Sequence, residues 1–296
     1  MCSKLNIEWR VVEQLIVSKA VIPAAGIGSR LLPVTKEMPK EMLPVFYRQR
    51  TRALCLKPVL QVVFETLFLS GTRKFCIVVG RGKRAVEDYF TIDQGFISTL
   101  SKGDKKFLTA GLLEFYRRIR ESSIVFMNQA EPLGFGDAVL CSAAFVGSDP
   151  FVLHAGDDLI LSPKSNHMKR LKSVFTSVGA DALFFVEHTK HPEKYGVIRP
   201  KKIKPDLYRV KELVEKPKHP PSNLGVIAIY AFQASVFEYL RKVKPDKNGE
   251  FQLADAVQMM VEDRKKVFAI PLRRNEKRVD IGSPDTYRLA LKQTFR

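Results

Sequence analysis

V-I-P-A-A-G-I-G-S-R-L-L-P-V-T-K-E-M-P-K-E-M-L-P-V, residues Val21 to Val45, is the stretch on which the fold turns. A short apolar run, Lys19 to Ala24, stops at Gly26 and Gly28, and basic residues follow at Arg30, Lys36 and Lys40. That pattern reads as a buried strand opening into a glycine loop. Bare backbone N–H groups can approach a phosphate closely there, with cations behind them to neutralise its charge. The reading is phosphate chemistry.

Other phosphate loops fail on single residues. The dinucleotide fingerprint G-x-G-x-x-G needs a small residue at position 31, where Leu31 stands. No Gly-Lys-Ser or Gly-Lys-Thr occurs, which excludes a P-loop, and the kinase catalytic-loop and D-F-G elements are missing. Taken alone, G-x-G-x-x-R is equally what a tight turn after a core strand would show.

The rest of the chain bounds the answer. Its 296 residues, 45% of them hydrophobic, suit a soluble globular protein with a large core. No Pro/Ser/Gly-rich linker divides them, so the expectation is one domain, residues 19–296, behind an N-terminal extension of residues 1–18. No apolar run approaches the roughly 18 residues that cross a membrane, and Lys4, Glu8, Arg10 and Glu13 spoil a signal peptide. Cys2, Cys55, Cys76 and Cys141 form no C-x-x-C pair, which fits neither a zinc site nor a disulfide framework and points to a reducing, cytoplasmic setting. The net charge of +18 admits a nucleic-acid surface, but the basic residues are spread along the chain without a nucleic-acid motif. A solvated basic surface with a pocket for small polyanions is therefore the expectation, and nucleic acid is not expected as the main substrate.

Strand and helix signals alternate through the first 190 residues. Strands are expected at Lys19–Ala24, Lys74–Val79, Ser123–Asn128, Phe151–Ala155 and Asp181–Glu187. Helices are expected at Pro58–Ser70, Lys83–Phe90, Gly134–Phe145 and Lys164–Ser177. This alternation predicts an α/β fold: a Rossmann-like three-layer arrangement around a mixed, mainly parallel sheet, with small β insertions. Asp93 to Glu121 reads as a charged, helical insertion that could pack on the domain or on a second subunit. After Gly196 short strands follow (Val197–Arg199, Tyr208–Val214, Val226–Phe232), then helices Ala234–Lys242 and Phe251–Glu262 and a strand Lys265–Pro271. Ser283-Pro284 marks the cap of a closing helix, 283–296. No repeat, and no hexapeptide array, is present.

Several residues could carry chemistry. Asp157, in Gly156-Asp157-Asp158, follows an apolar strand and would sit where open α/β sheets place ligands, and its hard oxygens suit Mg²⁺. Read bare, it is also a turn-capping carboxylate, and Asp280 in V-D-I-G-S-P is a turn residue. Gln129 precedes a second glycine loop, Pro132 to Ala138, where its amide can read a pyrimidine edge and Gly134 lets backbone approach a base. Glu215-Lys216-Pro217 offers an acceptor for hydroxyls and a cation for a phosphate. His154, His167, His188, His191 and His219 show neither metal spacing nor a paired nucleophile, and no G-x-S-x-G elbow is present.

These motifs, in this order, resemble the sugar-1-phosphate nucleotidyltransferase family over about residues 19 to 294. Lys40-Glu41-Met42-Leu43-Pro44 resembles its UTP–glucose-1-phosphate uridylyltransferase branch, also called UDP-glucose pyrophosphorylases, of bacterial and archaeal type. The resemblance implies transfer of UMP from UTP to α-D-glucose 1-phosphate with Mg²⁺ as cofactor. It implies a nucleotide-binding part at 19–190 with Ala25, Gly26, Gly28, Glu41, Gln129 and Gly134 at the nucleotide. It implies a sugar-binding part at 191–282 with Gly196, Glu215 and Lys216 at the sugar phosphate. Asp157 and Asp280 match the metal carboxylates, Arg30 and Lys40 the triphosphate cations, and Lys216 the group that orients the attacking phosphate. A homo-oligomer, dimer or tetramer, is the expected state. Two departures stand out: Asp137, where the bacterial enzymes usually have histidine, and a basic insert, Phe46 to Leu56. Thymine in place of uracil, another sugar, or a basic binding protein on an inactive scaffold stay open as alternatives.

Overall fold

The computed structural model describes residues 17–48, 54–100 and 106–295. Nearly all of the expected N-terminal extension and the tip of the basic insert lie outside them. The first part contains strands β1 (Lys19–Pro23), β2 (Pro44–Arg48) and β3 (Leu54–Pro58), helix α1 (Val59–Leu69), β4 (Lys74–Gly80) and α2 (Arg84–Phe90). Next come α3 (Gln94–Leu100), α4 (Lys106–Arg120), β5 (Ser123–Gln129), α5 (Phe135–Cys141), α6 (Ala143–Val146), β6 (Phe151–His154), β7 (Asp158–Leu161) and α7 (Asn166–Ser177). The remainder is β8 (Ala182–His188), β9 (Gly196–Lys204), β10 (Leu207–Glu215), β11 (Leu224–Phe232), α8 (Val236–Leu240), α9 (Leu253–Glu262), β12 (Val267–Pro271), β13 (Lys277–Asp280) and α10 (Pro284–Thr294).

Nine strands make one sheet in the order β5-β4-β1-β6-β11-β8-β12-β10-β9. The β5-β4-β1-β6 half is parallel, and β12 runs parallel to β8. The other pairings, β11 with β6 and β8, and β10 with β12 and β9, are antiparallel. The sheet is therefore mixed, and the expectation of a mainly parallel one holds only for its first half. Between β9 and β10 only two residues intervene, no helix is available for a crossover, and that pairing must reverse. Two small ribbons, β2–β3 and β13–β7, lie apart from the sheet.

Residue alternation along the strands sends side chains to two cores. Ala20, Ile22, Phe75, Ile77, Leu183 and Phe185 face α1, α2, α4 and α7, while Val21, Cys76, Val78, Ala182 and Phe184 face α5, α8 and α9. Helices thus cover both faces. The Asp93–Glu121 insertion packs on this domain: Phe115 of α4 is fully buried, with ring centroids 5.9 Å from Phe64 and 5.4 Å from Phe90. Burying one such ring contributes roughly 2–3 kcal/mol. Beneath it, Glu65 accepts from Lys57 at 2.7 Å and Arg118 at 3.1 Å, tying β3 and α4 to α1. Ser283 caps α10 in a reciprocal box with Thr286, as the Ser-Pro signal predicts. Among the described residues no helix is long and apolar enough to cross a membrane.

Candidate active site

Four parallel strands, β5, β4, β1 and β6, end side by side, and each passes directly into a loop that carries a polar or glycine-rich signature. From β1 comes the stretch Ala24–Gly28. Its entry is fixed by Ala24 N–H donating to Val78 O (2.8 Å) and Gly156 N–H donating to Pro23 O (3.1 Å). Gly28 turns with φ +74°, and the Thr35 hydroxyl donates to its carbonyl at 2.8 Å. Ala25 is buried, whereas Gly26 and Arg30 are exposed, so backbone N–H groups line an open rim.

Lys40 reaches this rim from the turn after Pro39. Its ammonium lies 2.5 Å from Asp157 Oδ2 and 3.6 Å from the position a Cβ on Gly26 would occupy. Burial acts to lower the Lys40 pKa, but the Asp157 and Glu41 carboxylates outweigh it and hold the ammonium above its ordinary range. For Asp157 burial acts upward, and Lys40 overcomes it and keeps the carboxyl below its ordinary value. Both groups stay charged at neutral pH.

Glu41 points the other way. Its residue is 1% exposed, and its carboxylate accepts from Lys83 Nζ at 3.0 Å beneath the loop. Burial pushes its pKa up against the opposing pull of Lys83 and Lys40. It supports the Lys40 turn from below. Lys83 was not anticipated from sequence, although its place in the turn after β4, next to the glycine loop, was the available signal.

Asp280 arrives through β13, whose pairing with β7 makes Asp280 and Asp158 Cα partners, one residue from Asp157. Gly282 N–H donates to Asp280 Oδ1 at 2.8 Å. Arg30 Nη2 and Asp280 Oδ1 lie 2.9 and 3.0 Å from the point where Gly282 would carry a Cβ, so the two side chains converge there. Arg278, two residues earlier on β13, forks onto Asp158 (2.8–3.0 Å), bonds Glu187 at 3.0 Å and lies 4.9 Å over the Tyr195 ring. Burial, against the pull of Arg278, raises the Asp158 carboxyl to about 6. Arg278 was missed in sequence. Its i, i+2 spacing from Asp280 on a strand places both on one face, which is the pattern that could have found it.

Among the described residues no set of three or more His, Cys, Asp or Glu side chains forms a metal cage. Mg²⁺ does not require one: it keeps waters and binds through one or two carboxylates plus phosphates. The β7–β13 register sets Asp280 opposite Asp158, the neighbour of Asp157, and the hard carboxylate oxygens of Asp157 and Asp280 are donors of the kind that fits the ion.

At the end of β5, Gln129 is 4% exposed; its Nε2 donates to Gly134 O at 3.1 Å and to Asp137 Oδ2 at 2.8 Å. The loop it joins is braced by residues 249–253. Phe251 N–H donates to Leu133 O at 2.7 Å, and Gly136 N–H donates to Phe251 O at 2.8 Å. A Cβ on Gly134, at φ +101°, would lie 2.9 Å from Phe251 N, so only glycine fits. The Gly249–Leu253 motif is thus the backing of this loop.

Across the sheet, Gly196 and Glu215 are Cα partners in the β9–β10 pairing. Glu215 is raised by burial, opposed by Lys216, whose Nζ lies 3.4 Å away. Lys216 is 61% exposed at its side chain and adopts φ +42°, a left-handed backbone rare for a non-glycine residue, with its N–H donating to Tyr195 O at 3.0 Å. That turn leaves the ammonium beside the Glu215 carboxylate and open to solvent.

A glycine-rich loop with Lys40 and Arg30 near it, the carboxylates Asp157 and Asp280 and a braced amide loop thus lie at or near the ends of the parallel strands of an α/β fold. The profile of the nucleotidyl transferase family matches residues 19–295, and the chain belongs to that family. It is similar to the UTP–glucose-1-phosphate uridylyltransferase of Pseudomonas aeruginosa, with 33% identity over 276 residues, 92% of this chain and 94% of that one. The Bacillus subtilis protein of the same name is 34% identical over 274 residues, 90% of this chain and 87% of the other. A solved UDP-glucose pyrophosphorylase complexed with UDP-glucose superposes with a TM-score of 0.82 at 32% identity, covering 95% of this chain and 99% of that one.

Proposed function

We propose that the chain transfers UMP from UTP to α-D-glucose 1-phosphate, giving UDP-glucose and pyrophosphate. The observations that carry this reading are that Lys40 holds Asp157 beside Gly26, and that the β7–β13 pairing sets Asp280, which meets Arg30 at Gly282, opposite Asp158. The activity in the names of relatives matched over nine-tenths of the chain supports the substrates.

In this reading residues 19–190 bind the nucleotide, 191–282 bind the sugar phosphate and 283–296 close the fold. Backbone N–H groups from Ala25 to Gly28, with Arg30 and Lys40, hold the triphosphate and neutralise the charge that grows on the departing pyrophosphate. Gln129 and Gly134 receive the uracil. Gly196 lets the hexose lie against backbone, Glu215 accepts from its hydroxyls and Lys216 steers its phosphate. An oxygen of that phosphate attacks the α-phosphorus in line; the bond to the β-phosphate oxygen breaks, and pyrophosphate leaves with its electron pair. Positioning and electrostatics then supply the rate, without a covalent enzyme intermediate. Mg²⁺, held by Asp157 and Asp280, would add positive charge against the phosphate oxygens. The reading also carries a cytoplasmic enzyme acting as a homo-oligomer, for which light scattering of the purified chain gives the state.

The test is a pyrophosphate-release panel of nucleoside triphosphates against sugar 1-phosphates in the presence of Mg²⁺. UTP with glucose 1-phosphate is expected to give the highest kcat/KM. Higher turnover with dTTP or another sugar reassigns the substrate, and absence of release from every pair, with retention on duplex DNA, overturns the enzyme reading.

A further inference from the structure

Gln129 can present either end of its amide to a base, and the two ends select opposite hydrogen-bonding edges. Its surroundings remove that choice. Nε2 sits between two groups, Gly134 O at 3.1 Å and Asp137 Oδ2 at 2.8 Å. A carbonyl and a carboxylate both accept only, so the NH₂ end must face them, and its two hydrogens are both used. Among the described residues nothing donates to Gln129 Oε1, and that oxygen is not fully sealed from solvent. The glutamine therefore offers the site an acceptor alone.

We propose that Asp137 is a positioning residue for nucleotide selection: by locking the Gln129 amide it restricts the base to one bearing a ring N–H at position 3. The inference rests on the assignment of Gln129 to the base. Uracil and thymine carry N3–H between two carbonyl acceptors and can donate to Oε1. Cytosine presents a lone pair at N3, which would face the Oε1 lone pairs. The carboxylate bond is the stronger of the two holding Nε2, because its acceptor is charged. Without it, only the neutral Gly134 carbonyl opposes an amide flip, and a flipped amide suits cytosine. Asp137 lies on the first turn of α5 and is half-buried, so its side chain is set by the helix and not by substrate.

The test measures kcat/KM for UTP and CTP by pyrophosphate release, and binding of each nucleotide by calorimetry. The proteins are the parent, Asp137→Ala, Asp137→Asn and Gln129→Ala. Asp137→Leu, nearly isosteric, replaces the alanine variant if that one fails to fold. Removing the carboxylate is expected to lower the UTP:CTP ratio about 10- to 100-fold, the range for losing a bond to a charged group. Asp137→Asn, whose carbonyl can still accept from Nε2, restores most of the ratio. A purely structural role would lower both nucleotides together and leave the ratio unchanged. If Asp137→Ala or Asp137→Leu keeps the ratio while Gln129→Ala loses it, the positioning role is refuted and the base contact stands. If Gln129→Ala also keeps the parent ratio, the base assignment itself fails, and the inference falls with it.

Discussion

Lys83→Met removes the ammonium that faces Glu41 beneath the phosphate loop, and the structure sets the size of the loss. The pair is 3.0 Å apart, with side-chain exposures of 7% and 2%. At an effective dielectric of about 20, the lost attraction would be about 5 kcal/mol. The carboxyl has a less costly route: it can take a proton. Protonating a carboxyl of ordinary pKa 4.5 at pH 7 costs about 3 kcal/mol, at about 1.4 kcal/mol per pH unit. The smaller figure wins and caps the loss. Burial has already lifted Glu41 above its ordinary range in the parent, so part of that cost is present there, and a loss of about 2–3 kcal/mol is expected at pH 7. The folded variant holds a proton that the unfolded chain releases above 4.5, so its deficit grows as pH rises and shrinks below about 1.4 kcal/mol at pH 5.5. Thermal unfolding followed by circular dichroism at both pH values reads this. At about 2 °C per kcal/mol for a chain of this size, the midpoint should fall by about 4–6 °C at pH 7. Adding Glu41→Gln should return most of it. A loss equal at the two pH values, or under about 0.5 kcal/mol at pH 7, would refute the claim that the carboxylate is sealed.

The remaining predictions test the site and the core. Asp157→Asn should reduce kcat about 10²–10³-fold, as removal of one preorganised electrostatic group does, and initial-rate pyrophosphate release across Mg²⁺ concentrations measures it. Lys216→Ala should raise KM for glucose 1-phosphate about tenfold or more while leaving KM for UTP within about twofold, which steady-state kinetics in each substrate resolves. His154 and His167, depressed by burial to about 4 and about 3, stay neutral in the fold while the unfolded chain takes protons near 6.5. Their contribution is full above 6.5 and is lost as pH falls, about 2 kcal/mol each at pH 5, so urea midpoints should drop over that range and His167→Gln should flatten the drop.

What sequence revealed here follows the range of the interactions. Strands such as Lys19–Pro23, Lys74–Gly80 and Ser123–Gln129 lie within a residue of expectation, because each is a continuous β-branched or apolar run closed by turn residues. The helix expected over Gly134–Phe145 breaks at Ser142 into α5 and α6. The β2–β3 hairpin, which carries the basic insert, and the β7–β13 ribbon were not read at all; for β7 and β13 nothing local marks strands whose partners lie far along the chain. The same reason hid the antiparallel entry of β11 between β6 and β8. At the site, Asp157, Lys40 and Gln129 were legible as polar residues at strand ends. Lys83 beneath Glu41 and Arg278 beside Asp158 were not, because a basic residue in a turn or on a strand looks like a solvated one until folding supplies the opposing carboxylate, and Asp137 stood out only as a departure until folding set it against the Gln129 amide.

Strand β11 bears on how such an enzyme could move. It is bonded to β6, which leads into Asp157, and on its other side to β8, with a further bridge from Gly225 to Val197 of β9. The segments 19–190 and 191–282 are therefore stitched into one sheet through β11, and again where β12 pairs with β8, and cannot swing apart as two lobes without breaking a backbone ladder. Any clamping on substrates must be performed by the surface loops, and cycling rates should follow loop stiffness, with the sheet serving as a fixed anvil.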